Sequence, residues 1–367
     1  MTKPLEGVLV ADFTTLLPGP LATLMLADAG AEVVKIERPG GETMRVVPPI
    51  VRGHSAAFAL LNRGKKSLLA DLKTEAGKAA AMDLVRRAQV LVEQFRPGVM
   101  ERLGFGYAAM RAINPKIVYC SISGYGQTGP KSGEAGHDIN YIGETGLLSL
   151  SPGPIDRPVV PPALIADIGG GTFPAVINIL LALRTAEKTG EGCWLDIAMS
   201  DAMFTFAWFS LSGLFATGKL PDSNELRHTG VNPRYQLYPT KDGKIVACGA
   251  LEQHFWLAFC KAIGLEAQFV DDFREPAATR EAVRKKIASA TAAHWKPKLA
   301  AADCCATIVR GLEEALADPH FVERGLFARK VGVPGGPPIT ALPVPIAPQL
   351  RVEDETRPFP AERNPKR

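Results

Sequence analysis

The stretch Gly7-Val8-Leu9-Val10-Ala11-Asp12-Phe13 decides the fold class, because it is an apolar run of strand length near the start of the chain. After the loop Thr14–Pro20, residues Leu21–Ala29 are predicted to form an apolar helix, which Gly30 ends. Ala31–Ile36 is predicted as a second strand. A strand, a helix and a strand in succession make a βαβ unit, which joins parallel strands.

The same alternation continues further along the chain. Ser67–Asp71 is predicted as a strand, Thr74–Arg87 as a helix with Thr74 as its cap, and Gln89–Glu93 as the next strand. Ile117–Ser123 is a further buried strand. This alternation predicts an α/β fold in which helices cover both faces of a parallel sheet. Two later helices are predicted over Gly169–Lys188 and, largely buried, over Asp201–Ala216.

The character of the sequence changes at about residue 219. Lys219–Asn232 is polar and lacks periodicity, which predicts a linker, and Lys241-Asp242-Gly243 is a hairpin turn signal between two short strands. Helices are then predicted over Glu252–Ile263, Glu275–Ala293 and Leu312–Ala317. We therefore predict a large domain over 1–218, a smaller α+β domain over 219–330, and an extended segment over 331–367 that returns to the large domain.

Composition excludes several classes of protein. The chain has 367 residues, 46% hydrophobic and 22% charged, which is ordinary for a globular protein. Its net charge of +4 comes without a dense Lys/Arg run interleaved with aromatics, so nucleic acid is not the expected partner. The longest apolar region, Ala202–Ala216, is shorter than the roughly 20 residues that span a bilayer. The six cysteines form no C-x-x-C pair, which argues against a zinc site and, with the absence of an apolar N-terminal core, favours a cytoplasmic protein.

Basic residues follow several of the predicted strands. They lie at Arg38, in Asn62–Lys66, in Asp71-Leu72-Lys73, and in Phe95–Gly98 with Arg102. Singly each is ordinary loop charge, but together they favour a phosphorylated ligand at the strand ends. Glu37 is a candidate for holding a ribose. The first loop lacks the G-x-G-x-x-G fingerprint, so a nicotinamide dehydrogenase or a non-catalytic nucleotide-binding module is disfavoured.

Two short motifs carry candidate catalytic groups. His137 and Asp138 stand in a predicted loop within Gly136–Tyr141, and a neutral imidazole is a natural general base near neutral pH. Asp167 precedes Gly169-Gly170-Gly171 at a predicted helix start, where it is either an N-cap or a reactive carboxylate beside exposed amides that hold an oxyanion. Glu252 opens a later helix, where it is either a functional carboxylate or an ordinary first-turn acid. We assign no metal ligands.

The chain resembles the class III coenzyme A transferase family, which includes formyl-CoA and carnitine CoA-transferases and α-methylacyl-CoA racemase. The matching segments span most of the chain and keep the order of the family: Val34–Pro39, Ala70–Lys73, Phe95–Gly104, Gly124–Pro130, Gly136–Tyr141 and Asp167–Gly171. The resemblance implies a Rossmann-like large domain, a smaller domain and two interlocked chains. It implies no permanently bound cofactor, because coenzyme A arrives as part of the substrate.

The resemblance also implies roles for individual residues. The positions matched to coenzyme A binding are Arg38, Ala70, Asp71, Leu72, Lys73, Gln94, Phe95, Arg96 and Arg102. Asp167 matches the catalytic carboxylate of both branches, and His137, oriented by Asp138, matches the opposing base of the racemase branch. Glu252 matches a glutamate that supports the racemase site from the partner chain.

Two reactions stay open at this point. In the first, a 2-methylacyl-CoA is racemised through an enolate between His137 and Asp167. In the second, Asp167 attacks an acyl-CoA, and CoA moves to a free acid through a mixed anhydride. Gly230–Tyr235 departs from the racemase pattern, and Arg234 there is a candidate for binding a substrate carboxylate. His137, Asp138 and Glu252 together favour the racemase interpretation.

Overall fold

The computed structural model describes residues 3–150, 153, 156–220, 228 and 232–361. The chain divides into two compact units. The first comprises 1–146, 160–205 and 319–367, and the second comprises 147–159 and 206–318. The first unit thus includes the predicted C-terminal segment 331–367, and its central part ends at Thr205, before the predicted boundary at 218. Most of the predicted linker 219–232 and the last six residues lie outside the described residues.

The regular elements are numbered here along the whole chain. The strands are β1 Leu9–Asp12, β2 Glu32–Glu37, β3 Ile50–Val51, β4 His54–Ser55, β5 Lys66–Leu69, β6 Val90–Glu93, β7 Val118–Ser123, β8 Trp194–Ala198, β9 Tyr235–Pro239, β10 Ile245–Gly249, β11 Ala306–Ile308, β12 Lys330–Gly332, β13 Ile339–Thr340 and β14 Thr356–Pro358. The helices are α1 Pro18–Asp28, α2 Ala56–Asn62, α3 Glu75–Arg87, α4 Val99–Leu103, α5 Tyr107–Ile113, α6 Asp138–Glu144, α7 Phe173–Thr189, α8 Met203–Phe206, α9 Trp208–Thr217, α10 Gln253–Ile263, α11 Pro276–Ala288, α12 Ala292–Ala302, α13 Leu312–Leu316 and α14 Pro319–Glu323.

A six-stranded parallel sheet forms the centre of the first unit, in the order β5-β2-β1-β6-β7-β8. The chain moves outward from β1 through β2 to β5, and then returns to the other side of β1 with β6. This is the doubly wound Rossmann order, and its strand order reverses between β1 and β6. All carboxyl ends lie on one edge of the sheet, because all six strands are parallel. The predicted α/β class and Rossmann-like sheet are confirmed.

Helices cover both faces of this sheet, and successive side chains of each strand point to opposite faces. Ala11 and Phe13 point to the face where they pack with α3, α4 and α5. Asp12 points to the opposite face, where its carboxylate accepts a hydrogen bond from the Thr23 hydroxyl of α1 at 2.7 Å. The central strands are therefore buried on both faces, which is why most of their residues are apolar and the few buried polar ones, such as Asp12, have internal partners.

A buried ionic cluster lies at the carboxyl end of β1. The Asp12 carboxylate accepts from the Thr14 amide and hydroxyl and from Thr23, and the ammonium of Lys65 donates to it at 3.2 Å. Lys35 donates to the Thr14 carbonyl at 2.6 Å and pairs with Glu42 at 3.0 Å. Burial alone would raise the pKa of Asp12, but Lys65, Lys35 and the two hydroxyls lower it to about 2. The cluster therefore holds the loop after β1 through charged hydrogen bonds.

The three N–H donors of the Lys65 ammonium lie within hydrogen-bonding distance of four oxygen atoms inside this cluster, those of Asp12, Pro20, Thr23 and Asn62. We predict that Lys65→Met lowers the free energy of unfolding by about 3–5 kcal/mol, because it leaves the Asp12 carboxylate buried without its closest cation. Urea denaturation followed by circular dichroism measures this change.

The matched control is Lys66→Met at the next residue. Lys66 pairs with Glu32 at 2.7 Å, but both side chains are about half exposed, so this change is expected to cost less than about 1 kcal/mol. Equal losses for the two variants would contradict a special role for the buried pair.

The predicted helix Gly169–Lys188 consists of two parts. Residues Ala166–Thr172 form a π-helical segment, and α7 continues directly from it to Thr189. Among the described residues, Ala166–Thr189 is long and apolar enough to cross a membrane by length and composition, with half of its most apolar window buried. The expectation that Ala202–Ala216 is the longest apolar region was therefore wrong. Ala175, Ile179 and Leu183 on the buried face of α7 belong to the core of the first unit.

The second unit is built on the antiparallel sheet β11-β10-β9, whose core is shared with α10, α11 and α12. The predicted hairpin around Lys241-Asp242-Gly243 is present. The predicted helix Glu275–Ala293 is wrong in extent, because α11 ends at Ala288 and the Thr291 hydroxyl caps the new helix α12. The predicted helix Asp201–Ala216 is divided into α8 and α9 and is not largely buried. Phe204, Phe206 and Trp208 are at least half exposed.

Candidate active site

A cavity of about 500 Å³ opens at the carboxyl edge of the large sheet. Its lining comes from the loops after β1, β6 and β7, from the start of α6, from the π-helical segment and from Met199 after β8. The cavity includes the carboxyl ends of β1 and β6, between which the strand order reverses. Open α/β sheets bind their ligands at this position. His137 and Asp167 both line the cavity, with Leu16, Leu17, Pro18, Gln94, Phe95, Arg96, Asn140 and Tyr141.

The motif Gly136–Tyr141 fixes the position of His137 through contacts within the motif. His137 is the N-cap residue of α6, and its amide donates to the Asn140 side chain at 3.0 Å. The Tyr141 hydroxyl donates to the Gly136 carbonyl at 2.5 Å. A Cβ atom on Gly136 would lie 2.6 Å from the Tyr141 ring, so glycine is required there. The backbone and Asn140 hold the start of α6, and the exposed imidazole is left at the cavity.

Asp138 has a different role from the one the sequence predicts. It lies at the start of α6 rather than in a loop, and its side chain is 6% exposed. Its Oδ1 accepts hydrogen bonds from the amides of Ala166 and Asp167, at 2.6 and 2.9 Å. The expectation that Asp138 orients His137 is therefore corrected, because this carboxylate binds the backbone that carries Asp167.

The segment Ala166–Thr172 places Asp167 at the cavity by close backbone packing. A Cβ atom on Gly170 would lie 2.2 Å from the Met199 carbonyl, and one on Gly171 would lie 3.1 Å from Pro18. The Thr172 hydroxyl donates to the Pro18 carbonyl at 2.8 Å. Gly170 and Gly171 are therefore explained by this packing, and the predicted oxyanion role of Gly169–Gly171 stays a prediction.

The surroundings of Asp167 favour its protonated form. Burial, with the nearby Asp138 carboxylate, raises the pKa of Asp167 to about 6, although His137 acts in the opposite direction. A carboxyl group with a raised pKa contributes stability below its ordinary value near 3.8 and loses it as the pH rises through about 6. Near neutral pH this group therefore exchanges readily between its two protonation states, as a general acid and base must.

The predicted coenzyme A residues follow three strands, β2, β5 and β6, at the same edge of the sheet; β2 and β5 are neighbours, and β1 lies between β2 and β6. Arg38 follows β2, Ala70, Asp71, Leu72 and Lys73 follow β5, and Gln94, Phe95, Arg96 and Arg102 follow β6. Arg38, Lys73, Arg96 and Arg102 are exposed there, whereas Ala70 is buried. The cavity is lined by Gln94, Phe95 and Arg96 from this set. The Gln94 oxygen already accepts from the Gly19 amide at 2.9 Å, so it also joins the loops after β1 and β6.

Three other residues predicted to contact the ligand at the strand ends have partners inside the protein instead. The buried guanidinium of Arg63 pairs with Asp28 at 2.7 Å, and Lys65 belongs to the Asp12 cluster. Glu37, the candidate for a ribose, is buried against Arg45 at 2.6 Å and accepts from the Ser67 hydroxyl at 2.5 Å. The predicted ligand roles of these residues are corrected, because their charges are already compensated inside the fold.

Two candidates lie in the second compact unit. Glu252 is exposed at the N-cap of α10, and its role in the site stays a prediction. Arg234 is 4% exposed and makes a bidentate ion pair with Asp272, in which the guanidinium nitrogens lie 2.8 and 2.6 Å from the two carboxylate oxygens. It also donates to the Leu251 carbonyl and to Gln253. The suggestion that Arg234 binds a substrate carboxylate is corrected, because its donors are used within the unit. Gly230 and Val231 beside it lie outside the described residues.

Sequence reasoning missed several cavity residues. Leu16, Tyr141, Ser123, Gly124 and Met199 line the cavity but were given no role. The sequence already places Leu17–Pro20 of the loop after β1 at the ligand-binding position of the fold, and Leu16 precedes them in that loop. Met199 carries no such signal and is placed by its contacts with Gly170 and Gly171. In the part of the chain that the structure describes, no cluster of three His, Cys, Asp or Glu residues suits a metal ion.

Residues 5–361 match the family model for CoA-transferase family III. The chain belongs to that family. It is 35% identical over 346 residues to the acetyl-CoA:oxalate CoA-transferase of Acetobacter aceti, covering 91% of this chain and 88% of that protein. It is 36% identical over 331 residues to the α-methylacyl-CoA racemase of Mus musculus, covering 88% of this chain and 82% of that protein. The crystal structure of a CAIB/BAIF family protein from Brucella suis matches with a TM-score of 0.82 and 30% identity, over 97% and 96% of the two chains.

These relatives are enzymes, and so is this chain. They include both a transferase and a racemase, so family membership leaves the reaction itself open between the two. The predicted family and the predicted enzyme class are confirmed.

The contacts of Asp138 lead to a prediction about Asp167. We predict that Asp138→Asn lowers the pKa of Asp167 from about 6 toward 3.8, because a negative charge is removed while an amide oxygen can still accept the two backbone hydrogen bonds. Carbon-13 NMR titration of aspartate-labelled protein measures the shift.

Glu144→Gln provides the control for this titration. Glu144 lies at the other end of α6 and pairs with Lys131, so its loss should leave the Asp167 titration unchanged. An unchanged Asp167 pKa in Asp138→Asn would contradict the electrostatic role of Asp138.

Proposed function

We propose that this enzyme racemises a 2-methylacyl-CoA by moving the proton on the carbon next to the thioester. The observation that carries the proposal is that His137 and Asp167 line one cavity at the ligand-binding edge of the sheet. The raised pKa of Asp167 supports it, because a racemase needs groups that act both as base and as acid near neutral pH.

The reaction follows from these two groups. One removes the α-proton, and the electron pair of the broken C–H bond passes into an enolate of the thioester. The other group, in its protonated form, then returns a proton to the opposite face of the planar carbon. Each turnover exchanges the protonation states of His137 and Asp167, and the reverse turnover or exchange with solvent restores them. No acceptor acid and no permanently bound cofactor takes part in this scheme.

Coenzyme A is proposed to lie across the carboxyl edge of β2, β5 and β6. Arg38, Lys73, Arg96 and Arg102 are the exposed cations that follow these strands, and phosphate groups bind guanidinium and ammonium groups well. Arg96 lines the catalytic cavity, so a thioester bound at this edge extends from the cations toward His137 and Asp167. We also infer a cytoplasmic location, which the six free cysteine thiols support.

The alternative is a CoA-transferase in which Asp167 is the nucleophile. The transferase among the relatives and the placement of Asp167 at the cavity favour it. The carboxylate attacks the thioester carbonyl, CoA leaves as thiolate, and a free acid exchanges through anhydrides before the thiolate attacks again. The internal pairing of Arg234 removes one expected group for binding a dicarboxylic acyl donor or acceptor.

Proton exchange with solvent distinguishes the two reactions. A single-enantiomer 2-methylacyl-CoA in heavy water should lose optical purity and gain α-deuterium without an added carboxylic acid, as measured by NMR and chiral chromatography. His137→Ala and Asp167→Asn should each lower the rate by about 10²-fold or more, because each removes one of the two proton carriers.

Glu144→Gln is the control here too, since it lies on α6 away from the N-terminal end that carries His137. Transfer of CoA to a supplied acid that depends on Asp167 but hardly on His137, with no α-deuterium, would replace the racemase proposal by the transferase.

We further propose that two copies of the chain associate, as the family resemblance implies. The exposed face of α7 carries Phe173, Ile177, Leu180 and Leu181, and the exposed fractions of Ile177 and Leu181 are 56% and 62%. These residues recur every three or four positions, so they form one apolar stripe along the helix. Such a stripe favours an interface over exposure to water.

Light scattering after size exclusion measures the association directly. The wild-type mass should be twice the 39.3 kDa of the chain, and Leu181→Arg should shift the equilibrium toward the single chain, because it buries a charge in the interface. Lys188→Ala, an exposed change near the end of the same helix, should leave the mass unchanged. A wild-type mass of one chain would contradict the proposed dimer.

A further inference from the structure

We propose that Leu16 selects the acyl group of the substrate, favouring an apolar chain over one that ends in a carboxylate. Leu16 lines the cavity that holds His137 and Asp167, and its side chain is 43% exposed. The proposal rests on the proposed acyl-CoA chemistry and adds to it the chemical class of the acyl group and the residue that recognises it.

The first argument is the backbone of Leu16. Its φ angle is +60°, in the left-handed region where residues other than glycine are uncommon. A leucine in this conformation is less stable than a glycine, which would adopt it without a steric penalty. Because the side chain is partly exposed, its burial does not fully offset the free-energy cost of this backbone conformation. Strained residues of this kind cluster at ligand sites, so the leucine side chain itself is the feature that needs an explanation.

The second argument is that the fold holds this conformation on both sides. On the N-terminal side, the Thr14 amide and hydroxyl donate to buried Asp12, and the Thr14 carbonyl accepts from Lys35. On the C-terminal side, the Gly19 amide donates to Gln94 and the Pro18 carbonyl accepts from Thr172. The short loop between these anchors is Thr15-Leu16-Leu17. The left-handed turn at Leu16 is thus imposed by fixed ends, and it directs an apolar side chain to the cavity.

The third argument is the character of the lining around Leu16. Leu17, Pro18, Ile122, Met199 and Phe95 add apolar surface. Besides His137, the side chains with ionisable or permanent charge that line the cavity are Asp167, Glu134 and Arg96. Two of these three carry negative charge when ionised and disfavour a second carboxylate, and Arg96 is the cation that we assign to coenzyme A. An acyl chain without charge is therefore the group that this lining suits.

Binding of unreactive analogues tests the proposal without relying on turnover. Titration calorimetry should compare free CoA with two thioether analogues, one carrying a 2-methylalkyl group and one a succinyl-like group. In wild type the 2-methylalkyl analogue should bind more tightly than the succinyl-like one. In Leu16→Gly the ratio of the two affinities should fall by about tenfold, the loss expected when the contacts of one leucine side chain disappear. The affinity for free CoA should not change.

Stability measurements separate selection from a structural role. Leu16→Gly should raise or maintain the urea midpoint, because glycine relieves the backbone penalty, while it weakens binding of the apolar analogue. Cys305→Gly is the matched control, since Cys305 is also exposed with a positive φ of 52° but lies in the second compact unit. It should behave similarly in urea and leave all three affinities unchanged. Leu16→Asn, which tolerates the left-handed conformation but is polar, should reproduce the loss of selectivity.

The outcomes separate this proposal from the proposed function. An unchanged affinity ratio in both Leu16 variants, or an equal loss for free CoA and both analogues, would overturn the role of Leu16 while leaving the acyl-CoA chemistry in place. Failure of wild type to bind any of the three compounds would overturn the proposed function and this proposal with it.

Discussion

The structure depends on one buried carboxylate, that of Asp12 at the carboxyl end of β1. A charged group that is shielded from water is stable only where hydrogen bonds and opposite charges surround it. Here Thr14 and Thr23 donate hydrogen bonds to the carboxylate, and Lys65 supplies the opposite charge. Because β1 is the central strand at which the sheet order reverses, this cluster fixes the loop that every ligand at this edge must meet. Through Pro18 and Thr172 the same loop contacts the segment that carries Asp167.

A second buried carboxylate positions the other side of the cavity. Asp138 joins the start of α6 to the start of the π-helical segment through hydrogen bonds. It therefore fixes the backbone positions of His137 and Asp167 relative to each other. Burial raises the pKa of Asp167, and the negative charge of Asp138 raises it further. One side chain therefore supplies both the geometry and the electrostatics of a neighbouring carboxyl group. A neutral acceptor in its place would keep the geometry and remove the part of the pKa shift that comes from the Asp138 charge.

The sheet was predictable because its signal is local. Apolar runs of strand length separated by helical segments identify a parallel sheet from neighbouring residues alone, and Thr74 caps α3 as its sequence position suggests. The roles of charged residues were less predictable, since they depend on partners far away in the sequence. Asp138 binds amides 28 and 29 residues later, Lys65 contacts an acid 53 residues earlier, and Arg234 pairs with an acid 38 residues later. Nothing near Lys65 distinguishes it from the exposed Lys66.

The chemistry turns on which protonation state of Asp167 is used. With a pKa of about 6, roughly one molecule in ten carries the proton at pH 7 while the others carry the carboxylate. A nucleophile needs only the ionised form, which burial beside Asp138 disfavours. A proton carrier needs both forms, and the same surroundings keep both populated. This is why we propose proton transfer, rather than attack on the thioester, as the role of Asp167. His137 lines the same cavity, and we propose it as the second group in that proton transfer.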